Sequence, residues 1–145
     1  MELKTRTVRD KIKIKDLFDA LNIPDMESVS YFVVFNLRVK TPYGYKSIKT
    51  LFRTEKQKCA TIYFTNNVTL KASINHKIKC NDDWCKIKDA KTHDIVETDD
   101  QPTSIKKIYT RSKSESLYDM SVEDVHCYYS NGILSHNSWA LTSIG

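Results

Sequence analysis

Apolar and polar residues alternate along this chain in short runs, and turn signals interrupt the runs about every ten residues. Lys4 to Val8 and Lys11 to Ile14 read as two short strands around an Arg9-Asp10 turn. Lys11-Ile12-Lys13-Ile14-Lys15 has the pattern of a strand with a solvent face, and Asp16 to Leu21 reads as one helical turn stopped by Pro24. Tyr31 to Val39 is a nearly continuous β-prone run, the pattern of a strand buried on both faces. Thr41-Pro42-Tyr43-Gly44 is a turn signal, after which Tyr45 to Arg53 alternates as a strand. Cys59 to Phe64 and Val68 to Ser73 form a predicted hairpin about Asn66-Asn67. Trp84 to Ile87, Asp94 to Thr98 and Ser104 to Tyr109 give further short strands. The last pair is Leu117 to Glu123 and Cys127 to Leu134, the latter turning at Asn131-Gly132. Met26 to Ser30 and Asp99 to Thr103 are polar enough to be loops, and no fixed repeat is present. The pattern predicts an all-β domain of many short strands.

Composition narrows the class. The chain has 145 residues, room for one domain and one core. With 40% hydrophobic and 28% charged residues it has the makeup of a globular domain. No apolar run approaches a membrane span, and the start lacks a signal-peptide core, so the expected location is cytoplasmic, with no membrane partner. The net charge of +5 raises nucleic-acid binding, but the lysines are scattered among apolar residues, and that argues against it. Cys59, Cys80, Cys85 and Cys127 are expected to be free thiols. His76 and His93 could join Cys80 and Cys85 in a zinc set on paper. A convincing second ligand pair is missing, so no metal and no cofactor is expected.

The segment from Leu117 to Ser138 carries the chemistry. It runs Leu117-Tyr118-Asp119-Met120, then His126-Cys127-Tyr128-Tyr129, Asn131-Gly132-Ile133-Leu134 and Ser135-His136-Asn137-Ser138. This resembles the two C-terminal blocks of inteins almost position for position. Upstream, Ser73-Ile74-Asn75-His76 resembles the intein block in which a hydroxyl residue precedes a histidine by three positions. Thr is commoner than Ser in the family there. Trp84 to Asp94 is similar to the segment that follows, with His93 where glycine is usual. The chain thus resembles a mini-intein or split intein without a homing endonuclease.

The resemblance implies the horseshoe-like Hint (hedgehog/intein) fold, all-β with pseudo-two-fold symmetry and a short helical turn. Residues 1–137 would be the splicing domain and 138–145 the start of the downstream extein. The implied activity is single-turnover autocatalytic splicing, with the flanking exteins as substrate and, for a split intein, a complementary fragment as partner. Asn137 would cyclise to a succinimide, with His136 and His126 transferring protons. Ser138 would accept the upstream acyl group, and Asp119 would couple the steps. His76 would protonate the first leaving nitrogen, and Ser73 would hydrogen-bond its carbonyl.

One position departs from the pattern. Inteins open on Cys, Ser or sometimes Ala, whereas Met1 falls on, or one residue after, that position. A thioether cannot start the acyl shift, so the N-terminal junction is expected to be inactive as given. Met26 could open a separate C-terminal piece, or be an ordinary loop residue. Two other readings stand beside splicing. One is a small basic β-domain that binds single-stranded nucleic acid, which needs exposed aromatics beside clustered cations. The other is a hedgehog-type autoprocessing domain, against which the terminal His136-Asn137-Ser138 argues.

Overall fold

The computed structural model describes residues 2–5, 8–11, 14–21, 23, 29–32 and 37–136. Among these are fourteen strands, all paired antiparallel, and one short α-helix. The first sheet runs β12 (Tyr118–Val122), β5 (Gly44–Arg53), β4 (Arg38–Thr41), β1 (Glu2–Thr5) and β2 (Val8–Lys11), and β3 (Val29–Phe32) also pairs with β5. The second runs β13 (Cys127–Ser130), β14 (Ile133–His136), β8 (Lys77–Cys80), β10 (Ile95–Val96), β11 (Thr103–Thr110), β6 (Cys59–Phe64) and β7 (Thr69–Ser73), with β9 (Asp83–Lys86) on β8. The all-β expectation holds.

Each sheet closes over its own core. Val39, Ile48, Leu51 and Met120 of the first sheet pack with Phe18 of α1 (Ile14–Ala20). Ile62, Phe64, Ile78, Val96, Ile105 and Ile133 fill the second. Tyr128 belongs to the first core although its strand, β13, lies in the second sheet, so its side chain bridges the two.

Tight turns set the registers. β8 and β9 pair Cys80 with Asp83, and Asn81 and Asp82 between them have φ of 50° and 66°. β13 and β14 pair Ser130 with Ile133 around Asn131 and Gly132, at 52° and 79°. Two positive φ values in a two-residue loop match the right-handed strand twist, and Asn, Asp and Gly tolerate them best. The Thr41–Gly44 turn is closed by its own side chain, whose Oγ1 donates to the Gly44 carbonyl at 2.7 Å and accepts from Tyr43 N.

Several boundaries differ from the sequence reading. Arg9 and Asp10 lie inside β2 rather than in a turn, because β1 and β2 pair from Glu2↔Lys11 to Thr5↔Val8. The stretch after Lys11 is not one strand, since Ile14 and Lys15 begin α1. The run from Tyr31 to Val39 is divided between β3 and β4, which share one edge of β5. Its apolar centre, residues 33–36, lies outside the described residues. Val29 and Ser30, read as the end of a loop, are in β3. β8 was missed because Lys77-Ile78-Lys79-Cys80 offers only a four-residue alternation.

Candidate active site

Ser73 ends β7, and its carbonyl accepts a bond from His76 N at 3.0 Å, which closes a tight turn. Within that turn the Ser73 hydroxyl accepts from Asn75 N at 3.2 Å. The small side chain therefore shapes the backbone that presents His76. The His76 carbonyl accepts from Ile87 N at 2.9 Å, which locks the turn against the 3₁₀ segment Ile87–Asp89.

His76 directly precedes β8, and His136 is the last residue of β14. The antiparallel pairing Ser135↔Ile78 brings the two ends together. His76 as a residue is half-buried, yet its Nε2 is sealed from solvent and has no hydrogen-bond partner among the described residues. Burial, aided by the nearby His136, pulls the His76 pKa from 6.5 down to about 4. At neutral pH this imidazole is therefore uncharged.

His136 is held on two sides. The Trp84 ring of β9 meets it edge-on, centroids 5.1 Å apart at 89°. On the other side the exposed His126 lies parallel at 6.2 Å and 9°. The register Cys127↔His136 explains this pairing, since His126 is the residue just before β13. Three histidines distant in sequence thus meet at the end of β14.

Asp119 sits on β12, buried at 8% exposure. Its Oδ1 accepts from the Met120 N at 2.7 Å and from the Tyr128 hydroxyl at 2.7 Å. Burial, with the Asp119 carboxylate beside it, pushes the Tyr128 phenol well above its usual range. Asp119 joins the group by way of Tyr128, whose strand begins beside His126. The structure therefore gathers Ser73, His76, His126 and His136, and ties Asp119 to β13 through Tyr128, two residues beyond His126. Asn137 and Ser138 lie outside the described residues, as do Met1 and Met26. The sequence reading missed Trp84 and Tyr128 as parts of the site. Both are aromatic positions in quoted motifs, and only the strand registers reveal what they touch.

The thiol pair gives no metal set. Cys80 and Cys85 are free and lie diagonally across the β8–β9 hairpin. Burial, with Cys85 and Asp94 nearby, lifts the Cys80 thiol to about 12. Among the described residues no three His, Cys, Asp or Glu side chains are placed to hold a metal ion. His93 has φ of 73°, the left-handed conformation in which glycine is cheapest, which is why glycine suits that motif position. Among the described residues no helix is long and apolar enough to cross a membrane.

No family model matches the chain, and no curated protein matches it in sequence. Its likeness is to solved structures. The crystal structure of VidaL intein (selenomethionine variant) superposes with a TM-score of 0.74 at 19% identity, over 94% of this chain and 90% of that one. A consensus engineered intein (Cat) with atypical split site gives 0.67 at 26%, over 78% and 92%. A DnaB intein from Synechocystis sp. PCC 6803 gives 0.66 at 20%, over 89% and 88%. The molecule has the intein fold at mini-intein size.

Proposed function

We propose that this domain is a single-turnover protein-splicing element that acts on its own flanking segments. The observation that carries the reading is the meeting of His76, His126 and His136 at the end of β14, the strand that runs directly into Asn137-Ser138. A structural histidine is normally satisfied by a hydrogen bond, whereas His76 keeps a sealed nitrogen with no partner among the described residues.

In the upstream half of the reaction, Ser73 donates its hydroxyl hydrogen to the scissile carbonyl. His76, neutral at working pH, takes the attacking group's proton and returns it to the departing nitrogen. Its low pKa makes the protonated form a strong acid, which suits that second task. Ser138 then attacks the acyl carbon with its hydroxyl oxygen, the bond from that carbon to the first nucleophile breaks, and Asp119 passes the proton Ser138 loses to the departing group.

In the downstream half, the Asn137 side-chain nitrogen bonds to its own main-chain carbonyl carbon. The bond to the Ser138 nitrogen breaks, and His136 delivers the proton that nitrogen needs. His126, stacked on His136, stabilises the charge that develops. The Trp84 ring limits the orientations open to His136. The substrates are thus the two flanking extein segments, with residues 1–137 as the splicing domain and 138–145 as the start of the downstream one.

A complementary fragment is the second partner. The neighbour with an atypical split site supports it, and so does the way α1 enters the first core through Phe18 alone among its described side chains. Such a fragment would carry β1, β2 and α1 and leave Met26 at the head of the remainder.

The intact mass of the purified chain, followed over time beside Asn137→Ala, tests the downstream half. Release of the Ser138–Gly145 peptide from the parent alone supports the reading. A stable mass calls for a second form, with Cys at the first junction behind an upstream segment. Failure of that form to join the segments would refute splicing.

A further inference from the structure

We propose that Tyr128 is a positioning residue that fixes the orientation and the ionised state of Asp119 for acyl transfer. This rests on the splicing reading above. The two residues come from different sheets, β12 in one and β13 in the other, and their 2.7 Å bond is buried. Tyr128 is 2% exposed and Asp119 8%.

A phenol O–H donating to a carboxylate favours the charged form of the acid, while burial opposes it. A phenylalanine would fill the same space in the first core and remove that donor, while the Met120 N–H stays on Oδ1. The geometry is also directional. Both donors, the Tyr128 hydroxyl and the Met120 N–H, converge on Oδ1, so they fix the rotation of the carboxylate about its last bond. A carboxylate that must act on more than one proton needs both a set orientation and a set charge.

The groups on the elements around Asp119 are of several kinds. From β5 its register partner is Phe52, which is apolar. The neighbouring Arg53 lies over the Tyr118 ring at 5.6 Å and donates to Ser116 Oγ at 2.7 Å. From α1 the buried side chain is Phe18, whereas Asp16 and Asp19 are exposed. Tyr129, next to Tyr128, is raised by burial and then by Glu97 and Asp99, so its environment is a different one.

The test uses the uncleavable Asn137→Ala chain and reads the Asp119 carboxyl titration by carbon-13 NMR. Tyr128→Phe should raise the Asp119 midpoint by about one pH unit, the size expected for one lost donor to a carboxylate. Tyr129→Phe, which removes a hydroxyl one residue away, should leave it in place. An unchanged midpoint in Tyr128→Phe, or equal shifts in both variants, overturns the proposal. If Tyr128→Phe fails to fold, fluorotyrosine at position 128 keeps the shape and strengthens the donor. It should lower the midpoint, and a rise or no change overturns the proposal equally. With Cys restored at the first junction, the pH profile of transfer to Ser138 should move with the midpoint, and a profile that stays put overturns the link to acyl transfer. Absence of transfer in the unmutated form at every pH would instead sink the splicing reading, with the NMR result still deciding the Tyr128–Asp119 relation.

Discussion

Acid should destabilise this domain through His76. The folded pKa of about 4 lies below the ordinary 6.5. Between those values the unfolded chain binds a proton that the folded chain refuses. Stability is therefore full above pH 6.5 and falls as pH drops toward 4. At pH 4.5 the loss works out to about 2.5 kcal/mol, and it approaches about 3.4 kcal/mol at lower pH. Glu115, held below the usual carboxylate range by Lys71 and Arg111, also loses stabilisation in acid, so a reference is needed. His76→Gln keeps a polar side chain that cannot titrate. Urea unfolding of both chains in the Asn137→Ala form, at pH 7.5 and 4.5, isolates the histidine as a difference of differences. The parent should lose about 2.5 kcal/mol more than the variant across that interval. Equal losses would show that His76 is open to water or paired, and the account of its sealed nitrogen would fail.

Three further perturbations follow. His93→Gly relieves a left-handed φ of 73° but adds glycine's entropy in the unfolded chain. The net should be a gain of about 0.5 kcal/mol, read as a raised Tm in calorimetry, and a lowered Tm would contradict it. Gly132→Ala places a Cβ 3.0 Å from Asp99 Oδ1 at a φ of +79°. It should cost about 1–2 kcal/mol in urea unfolding, and an unchanged midpoint would mean the turn relaxes freely. Trp84→Ala removes the edge-on ring from His136 and should slow release of the Ser138–Gly145 peptide by up to about tenfold, with Trp84→Phe keeping most of the rate. Equal rates in all three chains would remove Trp84 from the site.

The two hairpins best announced in the sequence, around Asn66-Asn67 and Asn131-Gly132, form where the turn residues placed them. Their loops need positive φ, and Asn and Gly state that need in one or two letters. The β8–β9 hairpin needs it equally at Asn81 and Asp82, but its strands are four residues each, too short for an alternation to show. The start of the chain misled for the opposite reason. Lys11 to Lys15 alternates well, yet Ile14 opens a helix because Phe18 then reaches the first core. Of the site, Ser73, His76, Asp119, His126 and His136 were legible as motif positions. What joins them was not. The bond from Tyr128 to Asp119 depends on two strands of different sheets meeting, and no local spacing encodes that.

That division of the site between the sheets bears on how the steps are kept in order. His76, His126 and His136 all belong to the second sheet or its turns, whereas Asp119 belongs to the first. In the splicing scheme proposed above, cyclisation at Asn137 draws on the second sheet alone, but transfer to Ser138 calls on Asp119 and therefore on both. The first sheet is completed by segments far apart in sequence. β1 pairs with β4, and Phe18 of α1 packs edge-on against Tyr118, with ring centroids 5.1 Å apart at 70°. Tyr118 is the residue before Asp119. Docking of α1 thus bears on the strand position next to the carboxylate, which Tyr128 ties to β13. In this arrangement transfer is sensitive to assembly of the first sheet, while cleavage at Asn137 is insulated from it. A chain whose first sheet is incomplete would therefore cleave downstream in preference to joining its flanks.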